Sequence, residues 1–352
     1  MRNLSPAAVA ALIGTLCLPA APKDPSRVTT TARTVTEGKT STAIRPLAAI
    51  SSPEDLAGSG ARPTAASKQL RLVKPFGIAV DDARRMFVAD PGQGAVLVYD
   101  RQARTAVRWT GNAKYPLLGP AGLAFGSAGR LFVSDSYRPR VVVFDKSGSA
   151  IASFGEDQLK RPGAVAVDAN RGRVYVADVM LRQVLSFDER TFAKGKTLGE
   201  VRDAAGSRRS VPAGLGVNSR GQLYVVDRVN CRVQIYDPDG SGVSSFGTLC
   251  MEPGEFARPS SIAIDDEDHV YIADAELGSL QVLSADGRNV LFAASLGRGP
   301  GLSVLRTGIA LDGDRRVYLA QQTPDGGSIQ IFDKVPERGA QLRGTSPGQT
   351  QR

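Results

Sequence analysis

The feature of this sequence that most limits its fold is an internal repeat. A unit such as Pro75-Phe-Gly-Ile-Ala-Val-Asp81, followed by Met86-Phe-Val-Ala-Asp90, recurs along the chain. The Asp that ends the second segment returns after steps of 45, 43, 49 and 47 residues, and Gln321 fills its slot after a further 47. The five copies of this residue are Asp90, Asp135, Asp178, Asp227 and Asp274. A period of this length, with several short strands per unit, is typical of sheets repeated around an axis.

Each unit contains three strongly apolar strands, and several units show a fourth, for example at 106–109, 151–154, 243–246 and 290–292. No segment keeps a sustained 3.6-residue apolar period, which excludes a helical solenoid. The first strand of each unit is rich in Gly and Ala, as suits the strand nearest a crowded axis. One such sheet cannot cover its own apolar faces, so the units must pack in a closed ring. The sequence therefore predicts an all-β, six-bladed β-propeller with four antiparallel strands per blade.

Closure of the ring needs a strand from elsewhere, because the sixth unit lacks a good fourth strand. After Asp333 the chain becomes polar, with many Gly, Pro, Gln and Arg residues. The apolar segment 43–50 is the candidate. We predict that this N-terminal strand pairs beside Ile329–Phe332 and closes the ring, so that the propeller spans residues 43–333.

The N-terminus has the pattern of an export signal. Arg2 precedes an apolar run, 7–18, that is too short to span a bilayer, and small residues follow at Ala20 and Ala21. We predict a signal peptide over 1–21, a disordered linker over 22–42 and a disordered basic tail over 334–352. Two thirds of the net charge of +9 lie in the end segments. The chain is therefore expected to be bacterial and exported to the periplasm or envelope, or secreted.

Cys17 leaves a lipoprotein open as an alternative. Acylation of this residue would anchor the chain to a membrane, although the bulky Leu16 beside it is a poor match to the lipoprotein pattern. No later stretch is apolar enough to cross a bilayer.

The repeat resembles the NHL repeat. Units of that family look like Pro-x-Gly-Ile-Ala-Val-Asp, then Ile-Tyr-Val-Ala-Asp, then Asn-His-Arg-Val-Gln-Val-Phe. The fourth unit is similar, with Val225-Val-Asp227 and Asn230-Cys-Arg-Val-Gln-Ile-Tyr236, where Cys231 stands in a position that is often His. The resemblance covers about residues 74–333 and implies a propeller. It implies no single function, since such propellers include protein- and RNA-binding modules, an amidating lyase and related hydrolases.

The recurring Asp residues are expected to be structural. Each ends a second strand, where a carboxylate can accept backbone N–H groups and fix the next turn. Arg140 and Arg232 each follow such an Asp by five residues and could pair with it. A ring of carboxylates could instead bind metal, but equivalent positions in every blade favour the structural role.

Catalytic motifs are scarce. The single His, His269, cannot supply the several zinc ligands that the resemblance to the amidating lyase would require, and no nucleophile motif lies near it. We therefore predict no catalytic residues, no metal site and no cofactor. A metal-dependent, lactonase-like hydrolase or lyase, with its site at the central channel, stays open as the alternative.

A binding face is the favoured function. In a propeller, the loops between the second and third strands and the linkers between blades lie on one face, and basic residues collect there. The predicted contact residues are Tyr137, Arg138, Arg140, Arg161, Arg182, Arg228 and Arg258. The same face also contains the basic residues Lys74, Arg232 and Arg306 and the apolar Met180. Arginine with aromatic neighbours is a usual composition for a contact surface. We expect a non-catalytic scaffold that binds a protein or peptide; a polyanion stays open, and export argues against nucleic acid.

Cys231 and Cys250 form a candidate disulfide. If Tyr236 lies opposite Gly242 in the hairpin, position 231 faces about position 247, and Cys250 follows three residues later. Export permits a disulfide. Closing this loop would stabilise the fold by about 3 kcal/mol on the chain-entropy estimate.

Overall fold

The computed structural model describes residues 44–50, 70–198, 210–295, 305–313, 316–323 and 326–334. The predicted signal peptide, Cys17, the linker over 22–42 and all of the predicted tail except its first residue lie outside these ranges. Within them, every regular element is a β-strand apart from one short 3-10 turn at Ser127–Gly129. None of the described segments forms a helix with the length and apolar character needed to span a membrane.

The strands form six separate four-stranded antiparallel sheets, which confirms the predicted propeller. Each of the first five blades is one continuous stretch of chain. Blade one contains β2 (Ile78–Val80), β3 (Met86–Asp90), β4 (Ala95–Asp100) and β5 (Thr105–Trp109). Blade two contains β6 (Pro120–Phe125), β7 (Leu131–Asp135), β8 (Arg140–Phe144) and β9 (Ala150–Phe154). Blade three contains β10 (Pro162–Asp168), β11 (Arg173–Asp178), β12 (Gln183–Asp188) and β13 (Lys194–Leu198).

The second half of the ring repeats this order, and its last sheet takes a strand from the N-terminal side. Blade four contains β14 (Pro212–Val217), β15 (Leu223–Asp227), β16 (Arg232–Tyr236) and β17 (Val243–Phe246). Blade five contains β18 (Pro259–Ile264), β19 (Val270–Asp274), β20 (Ser279–Leu283) and β21 (Val290–Ser295). Blade six contains β22 (Leu305–Leu311), β23 (Arg316–Thr323), β24 (Gly326–Lys334) and β1 (Ile44–Ile50).

The ring closes as the sequence predicts. Strand β1 is the outermost strand of blade six and pairs antiparallel with β24, with Ile50 opposite Ile329 and Pro46 opposite Phe332. A register shift lies between Pro46 and Ala48. Ile50 is 2 % exposed and packs in the apolar cluster between blades six and one. Residues from the two sides of the chain therefore complete one sheet.

The polarity of segment 191–210 predicts an insertion between blades three and four, without a strand. In the structure its residues Lys194–Leu198 instead pair with β12 as the fourth strand of blade three. Only Leu198 of this strand is buried. An outer strand with a solvent-facing polar sequence has no apolar alternation, so its sequence carries little strand signal. Arg202, Arg208 and Arg209, assigned to the same insertion, lie outside the described residues.

The core consists of six apolar clusters, one at each junction between neighbouring sheets. The first strands of adjacent blades approach most closely at the axis. A Cβ on Gly122 would lie 2.3 Å from the carbonyl oxygen of Gly163, and one on Gly77 would lie 2.3 Å from that of Ala121. Only glycine fits these two positions, which explains the small residues in the first strand of each unit.

Candidate binding face

The recurring carboxylates fix the backbone of one face. Asp178 is fully buried, and its Oδ2 accepts the N–H groups of Lys160 and Arg161 at 2.7 and 2.8 Å. Its Oδ1 accepts those of Met180 and Leu181 at 3.0 and 2.9 Å. Each carboxylate therefore joins the linker that precedes its blade to the turn that follows it. The same two-sided bonding occurs at Asp90, Asp135, Asp227 and Asp274.

The basic residues of this face fall into two groups. Lys74, Arg161 and Arg258 each stand immediately before the proline that leads into an innermost strand, so they surround the mouth of the channel. Arg138, Arg182 and Arg228 lie farther out, in the turns between the second and third strands. Arg306 is the second residue of β22, and its side chain lies outside the described part of the structure. The face is therefore basic both at its centre and around its turns.

Several of these charges have no counterion. Within the described ranges, the guanidinium groups of Arg138, Arg161 and Arg228 have no hydrogen-bond or ion-pair partner. Arg258 lies 3.5 Å from Glu276, and both side chains are about half exposed. Burial, and then the nearby positive charge of Arg258, lower the pKa of Arg228. Positive charge is thus crowded on this face, and an anionic group would relieve it.

Arg140 and Arg232 differ from the other arginines. Arg140 is only 6 % exposed, and its Nη2 donates to the carbonyl oxygen of Pro116 at 2.5 Å. Because its side chain is buried under the linker and does not face solvent, Arg140 does not belong to the contact surface, contrary to the prediction. Arg232 makes the expected ion pair, with Nε 3.5 Å from Oδ2 of Asp227.

Exposed apolar side chains form an arc over three consecutive blades. The position two residues after the recurring Asp is Tyr137 in blade two, Met180 in blade three and Val229 in blade four. These side chains are 71 %, 65 % and 55 % exposed. The equivalent residue is Gly92 in blade one and Glu276 in blade five. Sequence reasoning found Tyr137 and Met180 but missed Val229, which comparison of equivalent turn positions would have revealed. We call these three residues the apolar arc.

The ring of Tyr137 is held against the linker of its own blade. A Cβ on Gly119 would lie 2.5 Å from Cγ of Tyr137, so the ring rests directly on the glycine backbone. The N–H of Gly119 donates to Oδ1 of Asp135 at 2.8 Å. Ser136, next to the tyrosine, donates through Oγ to the carbonyl oxygen of Pro162 at 2.6 Å. The turn that carries the aromatic ring is therefore connected to the start of blade three, where Arg161 precedes Pro162.

The opposite face contains a cavity of about 210 Å³ between blades five and six. Its wall includes Asp265 and Asp312, which accept hydrogen bonds from the hydroxyls of Tyr271 and Tyr318 at 3.1 and 2.9 Å. His269 approaches the same cavity wall, with Nδ1 3.2 Å from Oδ2 of Asp265. Among the residues that the structure describes, no group of three or more His, Cys, Asp or Glu side chains is placed to hold a metal ion.

The two cysteines are thiols in the structure. The hairpin register differs from the expected one by a residue, because Tyr236 lies opposite Val243 and not Gly242. Cys231 is buried, and its Sγ donates to the carbonyl oxygen of Ala257 at 3.1 Å. Burial raises the pKa of this thiol, and Asp274 and Asp227 raise it further. Cys250 is half-buried. The disulfide between them stays a prediction.

One unit of the repeat matches the model of a known family. The NHL repeat matches residues 210–236, which contain the first three strands of blade four. The chain is a six-bladed β-propeller that carries an NHL repeat. No curated protein matches the sequence of this propeller.

Solved structures share the fold at low identity. A gluconolactonase from Xanthomonas campestris has a TM-score of 0.57 and 15% identity, with 74% of this chain and 86% of the other covered. Virginiamycin B lyase from Staphylococcus aureus has 0.53 and 11%, with 75% and 96% covered. A chain of a nidogen/laminin complex has 0.51 and 17%, with 62% and 79% covered. These similarities show the fold alone, and they include both enzymes and a protein that binds another protein.

Proposed function

We propose that this propeller is a non-catalytic scaffold that binds a protein or peptide through its basic loop face. The observation that carries the proposal is the apolar arc, which lies among arginines whose guanidinium groups have no counterion in the part of the chain that the structure describes. Exposed aromatic and aliphatic side chains beside arginine are the composition of protein contact surfaces. The predicted export signal supports a place in the cell envelope; acylation of Cys17 is the alternative that would add contact with a membrane.

The buried carboxylates support the same role. They fix the backbone of linkers and turns, so the face is organised before a partner arrives. A preorganised surface loses less conformational entropy on binding. In an interaction module, a rigid ring of sheets carries loop side chains that supply specificity.

The test compares two charge-matched variants. The first replaces Arg138, Arg161 and Arg228 with Ala. The second replaces three exposed arginines of the opposite face with Ala: Arg190, Arg220 and Arg288. Both variants and the unaltered protein are used to capture partners from the native envelope, and bound proteins are identified by mass spectrometry. We expect a partner that the first variant loses and the second retains. Equal capture by both variants would disprove the role of this face.

The alternative that the family resemblance leaves open is a metal-dependent, lactonase-like hydrolase or lyase with its site at the central channel. Isothermal titration of the purified protein with Ca²⁺ and Zn²⁺, together with an assay of lactone hydrolysis, addresses it directly. Stoichiometric metal binding accompanied by metal-dependent turnover would replace the scaffold proposal.

A further inference from the structure

In the turns between second and third strands, exposed apolar side chains are concentrated in one sector of the face. Blades two, three and four carry the apolar arc, whereas the equivalent turn of blade one has Gly92, which packs against Val73. Blade five has Glu276 in that turn, and the linker before it contains Glu252 and Glu255. The linker before blade five also exposes Leu249 and Met251, at 64 % and 71 %, and Val73 before blade one is 42 % exposed. Acidic residues occur in the linker before blade three as well, at Glu156 and Asp157. Among the described turns between second and third strands, however, those of blades two to four each combine an exposed apolar side chain with an arginine, and a ligand that needs both contacts is directed to these turns.

Within this sector, the junction of blades two and three has the strongest features of an anchor site. The Tyr137 ring lies on the backbone of Gly119, and a hydrogen bond from Ser136 connects the same turn to the start of blade three. Arg138 and Arg161, whose guanidinium groups have no partner in the described structure, belong to the two segments that meet there. A rigid aromatic ring offers large contact area at low entropic cost, and arginine binds carboxylates in two-pronged geometry.

We propose that the ligand of this sector is an acidic polypeptide segment that packs an apolar side chain on Tyr137 and places carboxylates against Arg138 and Arg161. This inference rests on the proposed function and adds the chemistry of the partner. A polypeptide fits better than a polysaccharide or nucleic acid, because Met180 and Val229 extend the aromatic contact with aliphatic surface. A sulfated or phosphorylated chain would pair with the arginine charges but leave these aliphatic side chains exposed to solvent.

Gly119 offers a probe that changes no charge. An alanine there would displace the Tyr137 ring, while the hydrogen bond from its N–H to Asp135 remains. The Gly119→Ala backbone is not in the left-handed region, so the ring can move towards solvent without strain in the chain. Tyr137→Ala is the second variant, which keeps the test decisive if the first one unfolds.

The experiment uses a random peptide library displayed on phage, selected on the unaltered protein and on each variant in parallel. We expect the unaltered protein to enrich peptides that combine Asp or Glu with an aromatic or aliphatic residue. Affinity of the synthesised peptides should fall about tenfold or more in Gly119→Ala and in Tyr137→Ala, as for an aromatic anchor of an interface. Arg190→Ala, on the opposite face, should bind them unchanged.

Two other results would overturn the inference. Selected peptides without acidic residues, or with unchanged affinity for Gly119→Ala and Tyr137→Ala, would show that the anchor is not used. Heparin binding that exceeds peptide binding and falls steeply with salt would indicate a polyanion ligand. Loss of the native partner in the triple arginine variant, combined with its retention in Tyr137→Ala, would leave the proposed function standing and reject this inference alone.

Discussion

Replacement of Asp178 by Ala tests how much the recurring carboxylates contribute to stability. The carboxylate is fully buried and accepts four backbone N–H groups, two on each oxygen. A hydrogen bond to a charged group contributes about 1.5 to 3 kcal/mol, and water can reach part of the exposed linker and turn after the change. We therefore expect a loss of about 3 to 5 kcal/mol, a large part of the roughly 5 to 15 kcal/mol that stabilises a typical domain.

The Asn variant sharpens this test. Because Oδ2 serves the linker and Oδ1 serves the turn, an amide at position 178 can satisfy only one of the two pairs and points N–H groups at the other. Asp178→Asn should therefore lose at least half as much stability as Asp178→Ala. Asp157→Ala is the control, since it removes the same charge from an exposed position of the linker before blade three. Its effect should stay within about 0.5 kcal/mol.

The assay is urea unfolding followed by circular dichroism, with thermal unfolding beside it. A loss of this size should lower the midpoint of thermal unfolding by roughly 10 °C for a domain of this length. Because Asp178 also fixes the backbone of Arg161 and Met180, binding should weaken even at temperatures where the variant is folded. The reasoning is refuted if Asp178→Ala unfolds within 1 kcal/mol of the control, on the order of the effect of one ordinary hydrogen bond.

Three further predictions concern other parts of the ring. Ile50→Ala should destabilise the protein by about 2 to 4 kcal/mol in urea unfolding, because it opens a cavity under the closing strand; an unchanged midpoint would contradict the latch. Burial raises the pKa of Tyr236 and of Tyr318 to about 12, the latter also beside Asp312. An unfolded tyrosine has a pKa of about 10, so the free energy of unfolding should keep its full value below pH 10 and decrease between pH 10 and pH 12. The decrease should be smaller in the Tyr318→Phe variant. If the predicted disulfide forms, iodoacetamide should modify neither cysteine before reduction; modification of Cys250 in the unreduced protein, faster than that of the buried Cys231, would disprove it.

The fold could be predicted from the sequence because the packing that closes the ring is repeated six times. The recurring Asp, the apolar strands and the small residues at the axis each correspond to a contact that is repeated from blade to blade. The sequence does not reveal strand β13 because this outer strand is largely exposed to solvent, so burial does not require its residues to be apolar. The one-residue difference at Tyr236 arose in a turn, where spacing does not determine register.

The contact surface was only partly predictable. Basic residues could be assigned to the face from their position in the repeat, but exposure depends on how each loop is shaped. Arg140 opens a third strand, and its side chain lies beneath the linker, which its position in the repeat does not indicate. The support of Tyr137 by Gly119 depends on a contact between two segments, which neither segment indicates alone.

The pairing of β1 with β24 has a consequence for the order of folding. Ile50 and Ile329 must meet across almost the whole described chain, so loop closure makes this contact one of the costliest to form. The first five sheets can assemble while the nascent chain is still growing, but they leave one flank uncovered. Only the segment that contains β24 supplies the sheet edge that receives β1. A force applied to the N-terminal side would likewise separate the strands of blade six first, before it acts on any other blade.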